Sequence, residues 1–205
     1  MSSIYYMKKR NLNEVNCWDS VEPLYIANYL WLDNQYKPKV TAKLFYTKEC
    51  IHVKFRTYEQ NPVTNYFQLN DPICRDSCVE FFLQPDYEKD DRYMNFEMNA
   101  AGTLLLEIGP DRHHREFISD IDINIFHIKQ YQNEEYWEVE YSIPFTWLKH
   151  YFFDFQPKLG HRLKANFYKC GDNTPIPHYA CWNMVTSATP DFHRSCDFGS
   201  LIFDS

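Results

Sequence analysis

Hydrophobic and polar residues alternate with a period of two along most of the chain. In "CIHVKFRT" the side chains of Ile51, Val53 and Phe55 fall on one face, and polar side chains separate them. Such alternation predicts a β-strand with one buried face. The same pattern recurs in "KVTAKLFYT", "SCVEFFLQP", "RYMNFEMN", "GTLLLEIG", "YWEVEYSIP" and "RLKANFYKC". The chain is therefore predicted to be all-β.

Short breaks between these segments predict hairpins, at "KE" after residues 39–47 and at "NEE" between "IFHIKQYQ" and "YWEVEYSIP". Apolar residues return at helical spacing only in "PFTWLKHYF", where Pro144 suits the first turn of a short helix. "SLIFD" is predicted to be the last strand. Roughly ten short strands and one helix favour a jelly-roll-like antiparallel β-sandwich.

Composition sets the class of protein. A chain of 205 residues with five glycines and no low-complexity linker is predicted to be a single domain, 1–205, with a peripheral N-terminal segment over 1–19. The net charge is −7 with no basic stripe, which disfavours nucleic acid as a partner. No apolar run reaches membrane-spanning length, so no membrane partner is expected. Seven cysteines without a CxxC motif, and no apparent secretory signal, predict reduced thiols and a cytoplasmic location.

The polar faces of three predicted strands carry an unusual mixture of amides, carboxylates and aromatic rings. The first face has Glu80, Phe82 and Gln84, the second has Tyr93, Asn95, Glu97 and Asn99, and the third has Lys164, Asn166 and Tyr168. Asparagine is depleted in strands, so its repeated presence needs a reason. Amide and carboxylate oxygens match the hydroxyls of a sugar, and flat rings match its C–H face. The row is either a saccharide-binding surface or a second core layer, and both interpretations stay open.

Two further segments combine aromatic and polar residues near the C-terminus. "HYACWNMV" places Trp182 beside Asn183, although a tryptophan is more often a core residue than a binding platform. "PDFHR" holds Asp191, His193 and Arg194, for which hydrogen bonds that fix a loop are the expected role.

At these residues the sequence resembles the family 9 carbohydrate-binding modules and, more closely, the family-9-like domains of unassigned role. The similarity runs from about residue 20 to the C-terminus. The matching segments are "DSCVEFFLQP", "YMNFEMNAAGTLLL", "WEVEYSIPF", "ANFYKCGD", "HYACW", "PDFHR" and "FGSLIF". The resemblance implies a jelly-roll-like β-sandwich that binds a mono- or oligosaccharide without catalysis, by aromatic stacking and hydrogen bonds.

The resemblance also implies site residues. Trp182 matches one of the two rings that hold a terminal sugar, Glu80 matches a carboxylate of the site, and the strand with Asn95, Glu97 and Asn99 supplies polar partners. Tyr93, Asn166 and Asn183 complete the predicted ligand-binding set. The second ring lies a few residues before the Glu80 position in the family, but Asn70–Arg75 contains no aromatic residue. Tyr66 and Phe67 are the nearest candidates to replace it.

The resemblance implies structural calcium as well. Asp71, Asp76 and Asp86 are candidate ligands, although turn or capping roles are expected for each of them.

Other functions stay open at this stage. Glu80 and Glu97 on neighbouring strands could act as the carboxylate pair of a glycoside hydrolase. Exposed aromatic residues could instead form a protein-interaction surface. Binding of haem would need an axial pair from residues such as Met94, His52, His178 and His193.

Overall fold

The computed structural model describes residues 2–11 and 17–205. These residues form fourteen β-strands and one α-helix. The strands are β1 Ile4–Lys9, β2 Leu24–Tyr25, β3 Asn28–Tyr29, β4 Val40–Tyr46, β5 Cys50–Thr57, β6 Cys78–Gln84, β7 Tyr93–Asn99, β8 Leu104–Gly109, β9 Glu116–Phe117, β10 Lys129–Gln132, β11 Trp137–Pro144, β12 Arg162–Cys170, β13 Tyr179–Cys181 and β14 Gly199–Asp204. The helix α1 spans Phe145–Tyr151, and short 3-10 helices lie at Ile73–Arg75, Ile123–Phe126 and Ser195–Asp197.

The strands form one sheet in the order β10-β11-β5-β4-β1-β14-β12-β6-β7-β8-β9. β2 pairs with β4, and β13 pairs with β12 and β3. The sheet curls so that its two halves pack face to face as a β-sandwich. Ring centroids of Phe55 on β5 and Phe167 on β12 lie 6.0 Å apart, and those of Phe96 on β7 and Tyr141 on β11 also lie 6.0 Å apart. The core is therefore built from the apolar halves of the alternating strands, as the sequence predicts.

The predicted hairpins and helix are confirmed. β4 pairs with β5 and β10 pairs with β11, both antiparallel. Helix α1 begins directly after Pro144, which lacks the backbone N–H that a first turn leaves unpaired. No helix in the ranges 2–11 and 17–205 is long and apolar enough to cross a membrane.

The N-terminal strand corrects the prediction of a peripheral segment over residues 1–19. β1 lies in the sheet between β4 and β14 and pairs parallel with both, so the sandwich is mixed rather than wholly antiparallel. Met7 of this strand is fully buried in the core. The pattern "IYYMKK" buries only this one side chain, which explains why periodicity missed the strand. Residue 1 and residues 12–16 lie outside the described residues.

Candidate functional site

The outer face of β6, β7, β8 and β12 is covered, although many of its side chains are polar. Every residue of β6, β7 and β8 is buried. Loops cover one part of this face, where Phe82, Tyr93 and Tyr168 join a second core cluster with Val185 and Phe198. The row of polar and aromatic residues thus forms a second core layer at one end, and it borders a cavity at the other.

The cavity has a volume of about 590 Å³, which lies within the range of small-molecule sites. Three glutamates from neighbouring strands line its floor: Glu80 on β6, Glu97 on β7 and Glu107 on β8. Glu80 lies directly opposite Glu97 in the strand register, and Asn95 lies opposite Glu107. Period-two alternation therefore brings all three carboxyl groups to the same side of the sheet.

Burial changes the acidity of this floor. It raises the pKa of Glu97 to about 7, against the effect of Asn95 Nδ2, which donates to Glu97 Oε1 at 2.9 Å. Burial, together with the charge of Glu97, raises the pKa of Glu80 well above its ordinary value. A protonated carboxyl group can donate one hydrogen bond and accept others. The floor can therefore offer both donors and acceptors to a polar ligand.

Arg115 connects the floor to one wall of the cavity. Its Nη2 lies 2.6 Å from Glu107 Oε2, and its guanidinium contacts the ring of His193. The same ring bonds through Nδ1 to the Tyr93 hydroxyl at 2.9 Å. Burial and the charge of Arg115 lower the pKa of His193 to about 2, so this imidazole is neutral.

A glycine makes this arrangement sterically accessible. At Gly109, the last residue of β8, a Cβ atom would collide with the carbonyl oxygen of His114 and approach the Cα of Arg115 within 2.7 Å. The loop can fold back closely only because that side chain is absent, and this fold brings Arg115 over the floor.

Aromatic side chains flank the carboxylates. Phe117 on the edge strand β9 lines the cavity and is 55% exposed. On the far side of β12, Tyr179 of β13 and Phe192 line it, and Phe192 stacks on Tyr168 with centroids 4.1 Å apart. The strand order places β9 at one end of this half-sheet and β13 beyond β12 at the other. The site therefore has an acidic floor between two aromatic flanks.

The sequence-predicted residues separate into two groups. Glu80 and Glu97 line the cavity, Asn95 bonds to Glu97 and Glu107 directly behind it, and Tyr93 contacts the cavity-lining His193. This part of the predicted set comes together around the cavity.

The other four predicted residues lie away from the cavity. Trp182 is 9% exposed and packs edge-on against Phe167 in the main core, because alternation in and after β13 turns it inward. Asn166 Nδ2 donates to the Asn183 carbonyl at 3.0 Å, and the Asn183 backbone N–H donates to Asn166 Oδ1 at 2.9 Å. Asn99 Nδ2 donates to Asp76 Oδ2 at 2.9 Å and to the Tyr66 carbonyl. These contacts fix loops and the core.

The candidate replacements for the second ring also lie elsewhere. Tyr66 packs against a small satellite core cluster, and Phe67 is 67% exposed without lining the cavity. The ring residues that sequence reasoning missed are Phe117, Tyr179 and Phe192. Phe192 lay within the quoted "PDFHR" segment, whereas the two-residue strand of Phe117 is too short for a periodic signal.

In that segment Asp191 Oδ1 accepts from the backbone N–H of His193 at 3.1 Å and lies 3.3 Å from Arg112 Nη1. This is the loop-fixing arrangement expected from the sequence.

The three candidate calcium ligands do not converge. The Asp76 carboxylate accepts N–H donors from Asn65 and Tyr66, and Asp71 Oδ2 accepts from two backbone N–H groups. The Asp86 carbonyl accepts from two backbone N–H groups within its turn. Among the residues that the structure describes, the group whose ligand atoms do converge is Cys78, Glu80 and Cys170. The aspartates therefore do not fit a common calcium site.

A second cavity, of about 450 Å³, lies on the outer face of the other half-sheet. Its charges are largely paired, since Glu138 lies 3.1 Å from Lys54 Nζ and 2.5 Å from Arg56 Nε. The first cavity joins unpaired carboxyl groups with aromatic flanks and is the stronger candidate.

Comparisons with known proteins agree with this architecture. A protein from Bacteroides uniformis ATCC 8492, provisionally assigned to carbohydrate binding, superposes with a TM-score of 0.84 and 28% identity over 100% of both chains. A family 9 carbohydrate-binding module from Caldicellulosiruptor kristjanssonii, solved with glucose, gives 0.68 and 15% identity over 98% of this chain and 96% of that one. The complex of that module with cellotriose superposes with a TM-score of 0.69 and 15% identity, over 98% of this chain and 94% of the other.

No curated protein matches the sequence. The sequence model of carbohydrate-binding family 9, however, matches residues 11–203, nearly the whole chain. The chain belongs to carbohydrate-binding family 9.

Proposed function

We propose that this protein binds a mono- or oligosaccharide, without altering it, in the cavity above β6, β7 and β8. The observation that carries the proposal is the floor of buried carboxyl groups from Glu80, Glu97 and Glu107 between aromatic flanks. Membership of the family supports the class of ligand. The related module binds glucose and cellotriose, which makes these two sugars the first ligands to test.

The geometry gives each part of the site a role. A pyranose ring has an apolar C–H face that packs on a flat ring such as Phe117 or Tyr179. Its hydroxyls would then meet the floor, where Glu97 with a pKa of about 7 can both donate and accept. Arg115 adds charged donors at one side and holds Glu107 in place.

Binding is better supported than hydrolysis. A glycoside hydrolase needs an acid and a carboxylate that flank the bond to be cleaved. Here Glu80 and Glu97 stand side by side in one register row of the floor, and burial raises the pKa of both. That disfavours an ionised carboxylate in the Glu80–Glu97 pair, which is the pair that the sequence indicates for such a reaction. Incubation of cellotriose with the protein should therefore release no glucose.

The experiment is titration calorimetry with glucose and cellotriose on two ring variants. Phe117 and Tyr131 are both on short strands and are 55% and 51% exposed, but Phe117 lines the cavity whereas Tyr131 lies on β10 at the far end of the sheet. We expect Phe117→Ala to weaken sugar binding by roughly 3- to 10-fold, in line with a ring contact of about 0.5–1.5 kcal/mol.

The control Tyr131→Ala should bind as the wild type does. Equal affinity of the two variants would place the sugar elsewhere. If neither sugar gives a heat of binding at concentrations of tens of millimolar, the result would contradict the proposed ligand class.

A further inference from the structure

One group of side chains in the cavity floor is not explained by sugar binding. Cys78 on β6 and Cys170 on β12 face each other directly in the strand register, and Glu80 lies on the same face of β6. The two sulfur atoms and a carboxylate oxygen of Glu80 all lie within 4.8 Å of one another, and all three residues are buried. Cys170 Sγ is 3.0 Å from Glu80 Oε1.

From this cluster we infer a binding site for a thiophilic divalent cation such as Zn²⁺, with Cys78 Sγ, Cys170 Sγ and Glu80 Oε1 as three protein ligands. Zinc prefers thiolate, imidazole and carboxylate ligands in a tetrahedral arrangement. Bonds of about 2.3 Å to sulfur and 2.0–2.2 Å to oxygen place such ligand atoms roughly 3.5 Å apart. No pair of the three atoms is farther apart than 4.8 Å, so none needs to approach by more than about 1.3 Å, and the Cys170–Glu80 pair at 3.0 Å needs to separate by about 0.5 Å.

The charges around the cluster favour a cation. Glu97 lies opposite Glu80, and the carboxyl group of Asp172 lines the same cavity. Burial and, when they are ionised, the carboxylates of Glu80 and Glu97 raise the pKa of the Cys78 thiol to about 12. The same negative potential that disfavours a bare thiolate stabilises a divalent cation bound to it. The two nearby cations are already paired, the guanidinium of Arg115 with Glu107 and the ammonium of Lys169, which acts on the Cys78 thiol, with Glu59.

The cluster is accessible and has room for a fourth ligand. Glu80 and Cys170 line the cavity of about 590 Å³, so an ion can reach them from its open side. Cys74, in the 3-10 helix at Ile73–Arg75, lines the cavity too, and its carbonyl lies 3.6 Å from Cys170 Sγ. A water molecule can take the remaining position, which is the pattern of an open zinc site.

Binding of the cation releases protons. The cation replaces the thiol protons of Cys78 and Cys170, and both are released to solvent together with any proton on Glu80. No oxidant or reductant is consumed. The affinity should rise with pH, and one binding event should release about two protons from the thiols, with a third where Glu80 is protonated, in weakly buffered solution.

The test uses Co²⁺ as a spectroscopic probe, with the full chain kept reduced by a non-thiol reductant. We expect one equivalent of Co²⁺ to give sulfur-to-cobalt charge-transfer absorption in the near ultraviolet and the visible bands of a tetrahedral ion, and Zn²⁺ to remove both. Cys78→Ser and Cys170→Ser should each lose about half of the charge-transfer intensity, and the double variant all of it. The matched control is Cys181→Ser, since Cys181 is as deeply buried but belongs to the second core cluster, with Val185 and Phe198.

Two results would overturn the inference: no charge-transfer band in the wild-type protein, or a band that the Cys78→Ser/Cys170→Ser variant retains. Serine is nearly isosteric, and circular dichroism would verify that each variant is folded. The metal titration needs no sugar, and sugar titrations can be run with a chelator, so each hypothesis can fail alone. If both hold, Zn²⁺ should weaken sugar binding, because the two ligands share Glu80.

Discussion

Buried carboxyl groups dominate the site at the scale of single residues. Glu80, Glu97 and Glu107 are 3%, 5% and 8% exposed, yet only Glu107 has a guanidinium partner. A charged carboxylate is costly in such surroundings, and burial raises the pKa of Glu80 and of Glu97, which have no guanidinium partner. The carboxyl groups of Glu80 and Glu97 therefore favour either the protonated form or a bound ligand that stabilises their charge.

Glu97 should make the stability of the protein fall with rising pH. Its pKa is 4.5 when unperturbed and about 7 in the folded chain, so between these values the native state keeps a proton that the unfolded state has lost. Its contribution is fully present below pH 4.5 and is lost as the pH rises to about 7. One pKa unit corresponds to about 1.4 kcal/mol, so we expect a loss of about 3 kcal/mol across this window.

Glu97→Gln removes this titration while keeping the shape of the side chain. Urea unfolding gives the free energy of unfolding of the wild type and of the variant at pH 4.5 and at pH 8. The effect of Glu97 is the change, between the two pH values, in the difference between the two free energies. Parallel pH profiles for the two proteins would refute it.

Sequence reasoning identifies two of the three floor glutamates, Glu80 and Glu97, but neither Glu107 nor the rings. Alternation on β6 and β7 was enough to assign Glu80 and Glu97 to one face, since residues two apart point the same way. Trp182 was chosen by resemblance, but the chain alternates at β13 and places this ring in the core. Phe117 and Tyr179 reach the cavity through strands of two and three residues, where position depends on tertiary pairing.

At the scale of elements, the sequence pattern predicts the elements whose hydrogen-bond partners lie nearby in the chain, namely hairpins and the helix. β4–β5, β10–β11 and helix α1 all have strong signals in adjacent residues. β1 has none, because its parallel partners come from β4 and from β14 at the other end of the sequence. Pairing over such separations is not encoded in any short window.

The importance of β1 can be measured with two neighbouring residues. Met7 is fully buried in the main core, whereas Tyr6 beside it is 54% exposed. We expect Met7→Ala to lower the free energy of unfolding by about 2–4 kcal/mol, the usual cost of truncating a buried side chain. Tyr6→Ala should cost less than about 1 kcal/mol.

Chemical denaturation of both variants provides the comparison. Similar losses for the two would mean that β1 contributes through its backbone pairing alone.

A buried polar network links elements across the whole molecule. Lys169 on β12 is 0% exposed, and its Nζ lies 3.2 Å from Glu59 Oε2, 2.7 Å from His178 Nε2 and 2.8 Å from the Cys170 carbonyl. Glu59 Oε2 also accepts from Trp137 Nε1 at 3.1 Å, and Oε1 accepts from the Ser77 hydroxyl. The network therefore joins β11 and β12, which lie in opposite halves of the sandwich.

Removing the cation from this network should be costly. Lys169→Met leaves the Glu59 carboxylate buried without its ammonium partner, so we expect a loss of about 3–5 kcal/mol in the free energy of unfolding. Lys8→Met removes the ammonium of the surface pair with Asp204, at 2.6 Å, and should have almost no effect.

The double variant Glu59→Gln/Lys169→Met should recover part of the stability lost in the single one, since no unpaired charge remains. A single variant as stable as the wild type would show that the ion pair does not hold the halves together.

The parallel pairing of β1 with β14 also has a consequence for the order of folding. β1 begins at residue 4 and β14 ends at residue 204, yet they are hydrogen-bonded neighbours at the junction of the two half-sheets. Contacts between such distant residues carry a large loop-closure entropy and slow a folding reaction. During synthesis on a ribosome, β1 emerges before β14 and must wait for it before the sandwich can close.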